Sequence, residues 1–189
     1  MYRSILKTIA IVAAAVLLVV VIGIGIAVAF QPDEFSVERS STIDAPAPLV
    51  FDYIADFRRW EDWSPWLELD PDAEYTFRGP ERGEGSIYEW EGNKDVGSGR
   101  LTTEEYRPHE YIQFHFEFFE PHESSSTTYF ELDGDDDGPT HINWGMAGDH
   151  NVMSKAMSLF MDMEDMIGED YEKGLSNLRE LIESSVDDD

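Results

Sequence analysis

The chain contains no cysteine and has few basic residues. The absence of cysteine excludes disulfide bonds, thiolate catalysis and thiolate metal sites. Lysine and arginine together number 13 against 40 aspartates and glutamates, which gives a formal net charge of -27 at pH 7. Nucleic acid is excluded as a partner because no basic surface is available to neutralise phosphate. Such an acidic composition also indicates a salty habitat, where dissolved ions screen the repulsion between like charges.

One long apolar run lies near the amino terminus. Residues 9–30 carry no charge and as a helix would measure about 33 Å, close to the thickness of the hydrocarbon core of a bilayer. The basic residues Arg3 and Lys7 precede the run, and acidic residues follow it. The positive-inside rule therefore predicts a single-pass protein of the cytoplasmic (inner) membrane, with residues 1–8 in the cytoplasm and the folded part periplasmic or extracellular.

A cleaved secretory signal is the alternative reading of the same run. Ala27 and Ala29 form an A-x-A cleavage site, but the run is longer than the apolar region of signal peptides, which reaches about 15 residues. We therefore favour an uncleaved transmembrane helix. It is followed by a polar stem at 31–34, a folded domain at 35–186 and an acidic tail at 187–189.

The folded part begins with strand-like alternation of apolar and polar residues. This pattern predicts a first strand at 35–43, then a short helix at about 49–57 and a tryptophan-rich segment at 59–66. Six further strands are separated by turn residues at short intervals, which favours hairpins and an antiparallel sheet. Strands followed by a long helix indicate an α+β fold. The six strands are predicted at 74–78, 86–91, 100–106, 111–119, 125–132 and 141–146.

The last apolar stretch, residues 152–186, predicts one long methionine-rich helix that covers the sheet. Glu164 falls near the middle of its apolar face, where an ionised carboxylate is costly to bury without a partner. We therefore expect Glu164 to be satisfied by a tryptophan or tyrosine across the gap, or to be a polar anchor for a ligand. The predicted stripe consists of Met153, Met157, Phe160, Ile167, Tyr171, Leu175, Leu178 and Ile182.

Three stretches resemble the START-like superfamily, in particular the polyketide cyclase/dehydrase and lipid-transport group known as SRPBCC. The first runs from Ser41-Thr-Ile-Asp-Ala-Pro46 to Trp60-Glu-Asp-Trp-Ser-Pro-Trp66. The second is Tyr88-Glu-Trp-Glu-Gly-Asn-Lys94 with Val96-Gly-Ser-Gly99, and the third is 160–174. The resemblance covers residues 36–184.

The resemblance implies a helix-grip fold, in which a seven-stranded antiparallel sheet wraps around a long C-terminal helix and leaves a hydrophobic cavity. It implies binding of a hydrophobic small molecule or lipid, and it implies no particular reaction because the group shares no catalytic set. We accordingly expect a carrier or sensor held at the membrane by its N-terminal helix. The candidate cavity residues are Trp66, Tyr88, Trp90, Phe114, Phe116, Trp144, Met157, Phe160 and Glu164.

The sequence leaves two alternatives open. One is a cyclase- or hydrolase-like enzyme with Glu164 as general acid or base, for which no second polar group is identified. The other is a protein-interaction module whose cavity is filled by its own side chains. No cofactor is expected. No metal is expected either, because Asp133-Gly-Asp-Asp-Asp-Gly138 begins like an EF-hand loop but has Trp144, not glutamate, at position 12.

Overall fold

The computed structural model describes residues 2–150, 152–159 and 163–187. Four α-helices and seven strands are present in this part of the chain, with two short 3-10 helices at Phe57–Asp62 and Pro65–Glu68. The helices are α1 (Tyr2–Ala29), α2 (Ala47–Ala55), α3 (Val152–Met157) and α4 (Met163–Asp187). The strands are β1 (Glu34–Ile43), β2 (Glu74–Arg78), β3 (Ile87–Glu91), β4 (Ser98–Arg107), β5 (Tyr111–Glu120), β6 (Ser124–Asp133) and β7 (Thr140–Asp149).

The chain divides into two compact units. The N-terminal unit comprises Met1–Glu34 and His150–Met163, and the sheet domain comprises Phe35–Asp149 and Glu164–Asp189. Within the N-terminal unit, the Lys155 ammonium pairs with the Asp33 carboxylate, and the His150 backbone N–H donates to the Asp33 carbonyl at 2.7 Å. The helix α1 contains an apolar window, Ile11–Ala29, that is long enough to cross a membrane, a property that signal sequences share.

The sheet domain confirms the predicted architecture. Its seven strands lie in the order β1-β7-β6-β5-β4-β3-β2, and consecutive strands from β2 to β7 pair antiparallel. Each predicted strand is present, and the ends of most extend by one to three residues. Antiparallel hairpins of this kind need only the short turn-forming connections that the sequence supplies.

Alternation along the strands gives the sheet one apolar face, here called the inner face. Ile43 on β1, Phe114 on β5, Phe130 on β6 and Ile142 on β7 are completely buried. The second half of α4 packs with them through four side chains spaced three or four residues apart, as the predicted stripe requires. These four are Tyr171, Leu175, Leu178 and Ile182.

The prediction of one continuous helix over 152–186 is wrong. The helix α3 ends at Met157 and is followed by a turn at 158–159, and α4 begins at Met163. At the end of α3 the Ser154 carbonyl accepts both the Ser158 backbone N–H at 2.9 Å and the Ser158 hydroxyl at 2.8 Å, and hydroxyl bonds of this kind often accompany bends in helices. Helical phase therefore cannot be carried from the first half of the predicted stripe to the second.

We expect the acidic surface to make stability dependent on salt. Raising sodium chloride from 0.1 to 1 M shortens the Debye length from about 10 to about 3 Å, which screens the repulsion behind the formal charge of -27. The exposed ion pairs weakened by the same salt are worth at most about 1 kcal/mol each. The thermal midpoint of the full chain should therefore rise, most steeply below about 0.5 M. A midpoint that stays flat or falls over this range would contradict the expectation.

Candidate functional site

The two 3-10 helices supply aromatic side chains that pack in the core against the inner face. We call this stretch the tryptophan segment (57–68). The Asp56 carboxylate caps its start by accepting a hydrogen bond from the Arg58 backbone N–H at 3.0 Å. The indole N–H groups of Trp60 and Trp63 then donate to backbone carbonyls of α2, at 2.8 and 3.3 Å. Both indoles are thus fixed before they meet the sheet, and both are almost completely buried.

One half of the inner face is filled by stacked rings. Trp144 of β7 stacks on Tyr171 of α4 with ring centroids 3.9 Å apart and an interplanar angle of 9°. The indole also stacks on Phe130 of β6 at 4.8 Å. Gly174 allows this close approach of α4, because a Cβ there would lie 2.8 Å from the indole ring. We call this region, with Trp60, Trp63 and Phe114, the packed half.

A buried hydroxyl satisfies the polar atoms of the packed half. The Thr128 hydroxyl donates to the Gly145 carbonyl at 2.9 Å and accepts the indole N–H of Trp144 at 3.2 Å. It also lies 3.3 Å from the Tyr171 hydroxyl. Burial raises the pKa of Tyr171, so the phenol stays neutral near pH 7 and donates to Thr128. The network fixes Tyr171 of α4 over β6 and β7.

The other half of the inner face carries aromatic side chains that remain partly accessible. Cross-strand register places Tyr75 opposite Trp90 and Phe77 opposite Tyr88, so their side chains lie on the same face. Tyr88 stacks on Tyr75 with a centroid distance of 5.6 Å. Tyr88 is the link to the packed half, since it also stacks on Phe57 of the tryptophan segment at 5.4 Å.

Two phenylalanines of β5 continue this partly accessible surface. Trp90 lies 5.6 Å from Phe116 and 5.7 Å from Phe118, measured between ring centroids. Five of the six rings are half-buried and Phe77 is 38% exposed. We call this surface the open aromatic face, and its members are Tyr75, Phe77, Tyr88, Trp90, Phe116 and Phe118.

Small residues border the open aromatic face. Gly99 of β4 lies beneath the Trp90 indole, where a Cβ would overlap the ring. On β6, Ser126 is opposite Phe116 and Ser124 is opposite Phe118. These positions project little volume from the sheet beside the aromatic rings.

The structure separates the predicted cavity residues into distinct environments. Tyr88, Trp90 and Phe116 lie together on the open aromatic face, whereas Phe114 and Trp144 are in the packed half. Trp66 is half-buried between the packed half and α4, with its indole N–H donating to Asp170 at 3.1 Å. Met157 belongs to the N-terminal unit, where it is 37% exposed, and Phe160 lies outside the described residues.

The prediction that Glu164 is buried on the apolar face is wrong. Glu164 is exposed and lies in the first turn of α4, where a carboxylate is stabilised by the positive end of the helix dipole. Glu164 has the same helical phase as Ile167 and Tyr171, but it lies at the N-terminal end of α4, where residues 164–166 are all exposed. The burial that made Glu164 a candidate acid, base or ligand anchor is therefore absent.

Other members of the open aromatic face were not among the predicted site residues. Phe118 follows the same alternation as Phe114 and Phe116, and Tyr75 and Phe77 alternate on the short strand β2. The acidic run 133–138 forms the connection between β6 and β7. Among the described residues, no group of three or more histidines, aspartates and glutamates is placed to hold a metal ion.

We expect Thr128→Val to destabilise the sheet domain because it removes the buried oxygen that accepts the Trp144 N–H and contacts the Tyr171 hydroxyl. The loss should be about 1–3 kcal/mol in the free energy of unfolding, measured by urea denaturation of the full chain in mild detergent. The control Thr127→Val alters the neighbouring residue, which points to the opposite face, and should change stability by less than about 0.5 kcal/mol. Equal effects of the two substitutions would show that the network contributes nothing.

Comparison with solved structures supports the fold. A protein of unknown function from Staphylococcus aureus matches with a TM-score of 0.60 at 13% identity, covering 82% of this chain and 97% of that one. The Aha1 dimer protein from Colwellia psychrerythraea gives 0.57 at 12% identity, with coverages of 78% and 96%. The Zhui aromatase/cyclase from Streptomyces sp. R1128 gives 0.54 at 15% identity, with coverages of 81% and 96%. At such identities the likeness concerns the fold alone.

Comparison with protein families gives a match over most of the chain. No curated protein matches the sequence. The family model described as polyketide cyclase / dehydrase and lipid transport matches residues 34–183. This range contains all seven strands and nearly all of α4, so it covers both the packed half and the open aromatic face. The chain therefore belongs to the polyketide cyclase/dehydrase and lipid-transport family, as its sequence resemblance to the SRPBCC group predicts.

Proposed function

We propose that the protein is a membrane-anchored carrier or sensor that binds a hydrophobic small molecule or lipid on its open aromatic face. The observation that carries the proposal is the partial accessibility of six neighbouring aromatic side chains on the inner face of the sheet. Contiguous accessible apolar surface of this kind is typical of ligand or partner sites. Membership of a family that includes lipid transport is consistent with such a ligand.

The packed half supports the proposal by supplying a rigid support for the site. The rings of Trp60 and Trp63 are fixed by hydrogen bonds to α2, and Phe57 of the same segment stacks on Tyr88. A site preorganised in this way loses little conformational entropy when a ligand binds. The ligand therefore meets rings whose positions are set by the core and need not be ordered by binding.

The apolar area that a bound ligand would cover sets the scale of its affinity for the protein. Covering about 300 Å² of apolar surface contributes about 7 kcal/mol before the costs of association are subtracted. The expected dissociation constant is therefore weaker than about 10 μM. The sign of the protein's charge favours a neutral ligand over an anion, because the chain carries a net charge of -27.

The membrane anchor is part of the same proposal. The window Ile11–Ala29 of α1 has the length and composition of a membrane span, and Arg3 and Lys7 precede it. This charge asymmetry supports a single-pass protein of the cytoplasmic membrane with the sheet domain outside the cytoplasm. Tethering would keep the open aromatic face near a bilayer, in which apolar ligands concentrate. The enzyme alternative has lost its main support, since Glu164 is exposed.

Photolabelling of membranes that contain the full chain tests binding and anchoring together. The probe is 3-trifluoromethyl-3-phenyldiazirine, a small neutral molecule that forms covalent adducts with its neighbours on irradiation. We expect adducts on α1, from probe dissolved in the bilayer, and on peptides of β3 and β5, from probe at the site. Excess naphthalene should suppress only the second set, and protease added outside sealed cells should remove the sheet domain.

Two neighbouring phenylalanines provide a matched pair of variants for this experiment. Phe118→Ala removes a ring from the open aromatic face, so we expect labelling of β3 and β5 to fall several-fold. Phe119→Ala removes an exposed ring beside Arg100 on the other face and should leave that labelling unchanged. Adducts confined to α1 in the unmodified protein would refute ligand binding and favour an interaction module. An absence of adducts on α1 would refute the anchor.

A further inference from the structure

The indole N–H groups of the chain do not all find acceptors within the protein. The sequence contains five tryptophans, and four of them donate to protein oxygens at 2.8–3.3 Å. The fifth, Trp90, donates to no acceptor in residues 2–150, 152–159 and 163–187. An indole N–H can only donate, and partly buried tryptophans normally find a partner. The unpaired donor lies on the open aromatic face.

A second donor without a protein acceptor lies beside Trp90. In the described part of the chain, no acceptor is bound to the hydroxyl of Tyr88, whose ring centroid is 5.9 Å from that of Trp90. The two residues lie on the same side of β3. Every buried side-chain nitrogen or oxygen among the described residues has a partner, so these two unpaired groups must reach accessible space. Both donors are therefore at least partly accessible.

Protonation keeps the Tyr88 hydroxyl a donor. Burial, followed by the neighbouring Tyr75, raises the pKa of Tyr88 well above its ordinary value, so the phenol is neutral at physiological pH. The other rings of the face supply flat apolar surface: Phe116 and Phe118 have no polar atom, and Tyr75 stacks on Tyr88 at an interplanar angle of 9°. The face thus combines stacking surface with two adjacent hydrogen-bond donors.

We propose that the open aromatic face selects a neutral, planar ring molecule that carries an oxygen acceptor, such as a ring carbonyl, bound by the Trp90 N–H and the Tyr88 hydroxyl. This inference rests on the proposed function and narrows its ligand class. An anion is disfavoured by the net charge of -27. A cation would leave the Trp90 N–H without an acceptor, and a pure hydrocarbon would leave both donors unpaired at a desolvation cost.

A pair of probes that differ only in the acceptors tests this selectivity. Binding of 1,4-naphthoquinone and of naphthalene to the full chain in lipid nanodiscs is measured by equilibrium dialysis, with empty nanodiscs as the blank. The chain has no cysteine to react with the quinone. Replacing Trp90 by benzothienylalanine keeps the fused rings and removes the N–H. We expect this change to weaken naphthoquinone binding about fivefold, the worth of one hydrogen bond, and to leave naphthalene binding unchanged.

Tyrosine-to-phenylalanine variants test the Tyr88 hydroxyl as the second donor and provide a matched control. Tyr88→Phe should weaken naphthoquinone binding to a similar extent, also about fivefold, without affecting naphthalene. Tyr106→Phe removes another half-buried hydroxyl, next to Phe51 and away from the open aromatic face, and should alter neither probe. If both probes bind and neither variant changes the ratio of their dissociation constants, the proposed selectivity for an oxygen acceptor is wrong, while the proposed function stands. If neither probe binds the unmodified protein, both proposals fail.

Discussion

The stack of Trp144 on Tyr171 is the interaction on which the rest of the sheet domain depends. Its ring centroids are 3.9 Å apart, and it fixes α4 to β7 at a point where Gly174 removes the obstacle of a side chain. The Thr128 hydroxyl satisfies the indole N–H and orients the phenol. Because these groups are buried together, the helix cannot shift along the sheet without breaking both the stack and the hydrogen bonds.

The position of this stack divides the inner face into two parts with different roles. On one side, Trp60, Trp63 and Phe130 join Trp144 in a cluster that excludes solvent and stabilises the fold. On the other side, Trp90 and its neighbours keep accessible surface and unpaired donors. A contiguous accessible apolar surface of this kind typically marks a site where another molecule binds. The packed half thus accounts for stability, and the open aromatic face for the proposed binding.

The sequence predicts the sheet well because the alternation of apolar and polar residues that marks a strand is a local pattern. Alternation gave all seven strands, and the stripe from Tyr171 to Ile182 identified the buried face of α4. The helix break after Met157 was missed because the methionine-rich sequence keeps an apolar period across it. Glu164 was misplaced because periodicity does not show where a helix begins to pack on the sheet: Glu164 is in phase with Tyr171 but lies in the exposed first turn of α4. Which aromatic rings pack and which remain open depends on cross-strand partners and on Gly99 and Gly174. Such tertiary contacts leave no periodic trace in the sequence.

Fluorine NMR of the full chain labelled with 5-fluorotryptophan tests the division of the inner face most directly. Its five resonances are assigned by single Trp→Phe variants and recorded in H₂O and D₂O, then with 1,4-naphthoquinone. Our account predicts a solvent isotope shift and a ligand-induced change at Trp90, with Trp60, Trp63 and Trp144 unaffected by either. A Trp90 signal that is as insensitive as those three, or a Trp144 signal that responds to solvent and ligand, would contradict it.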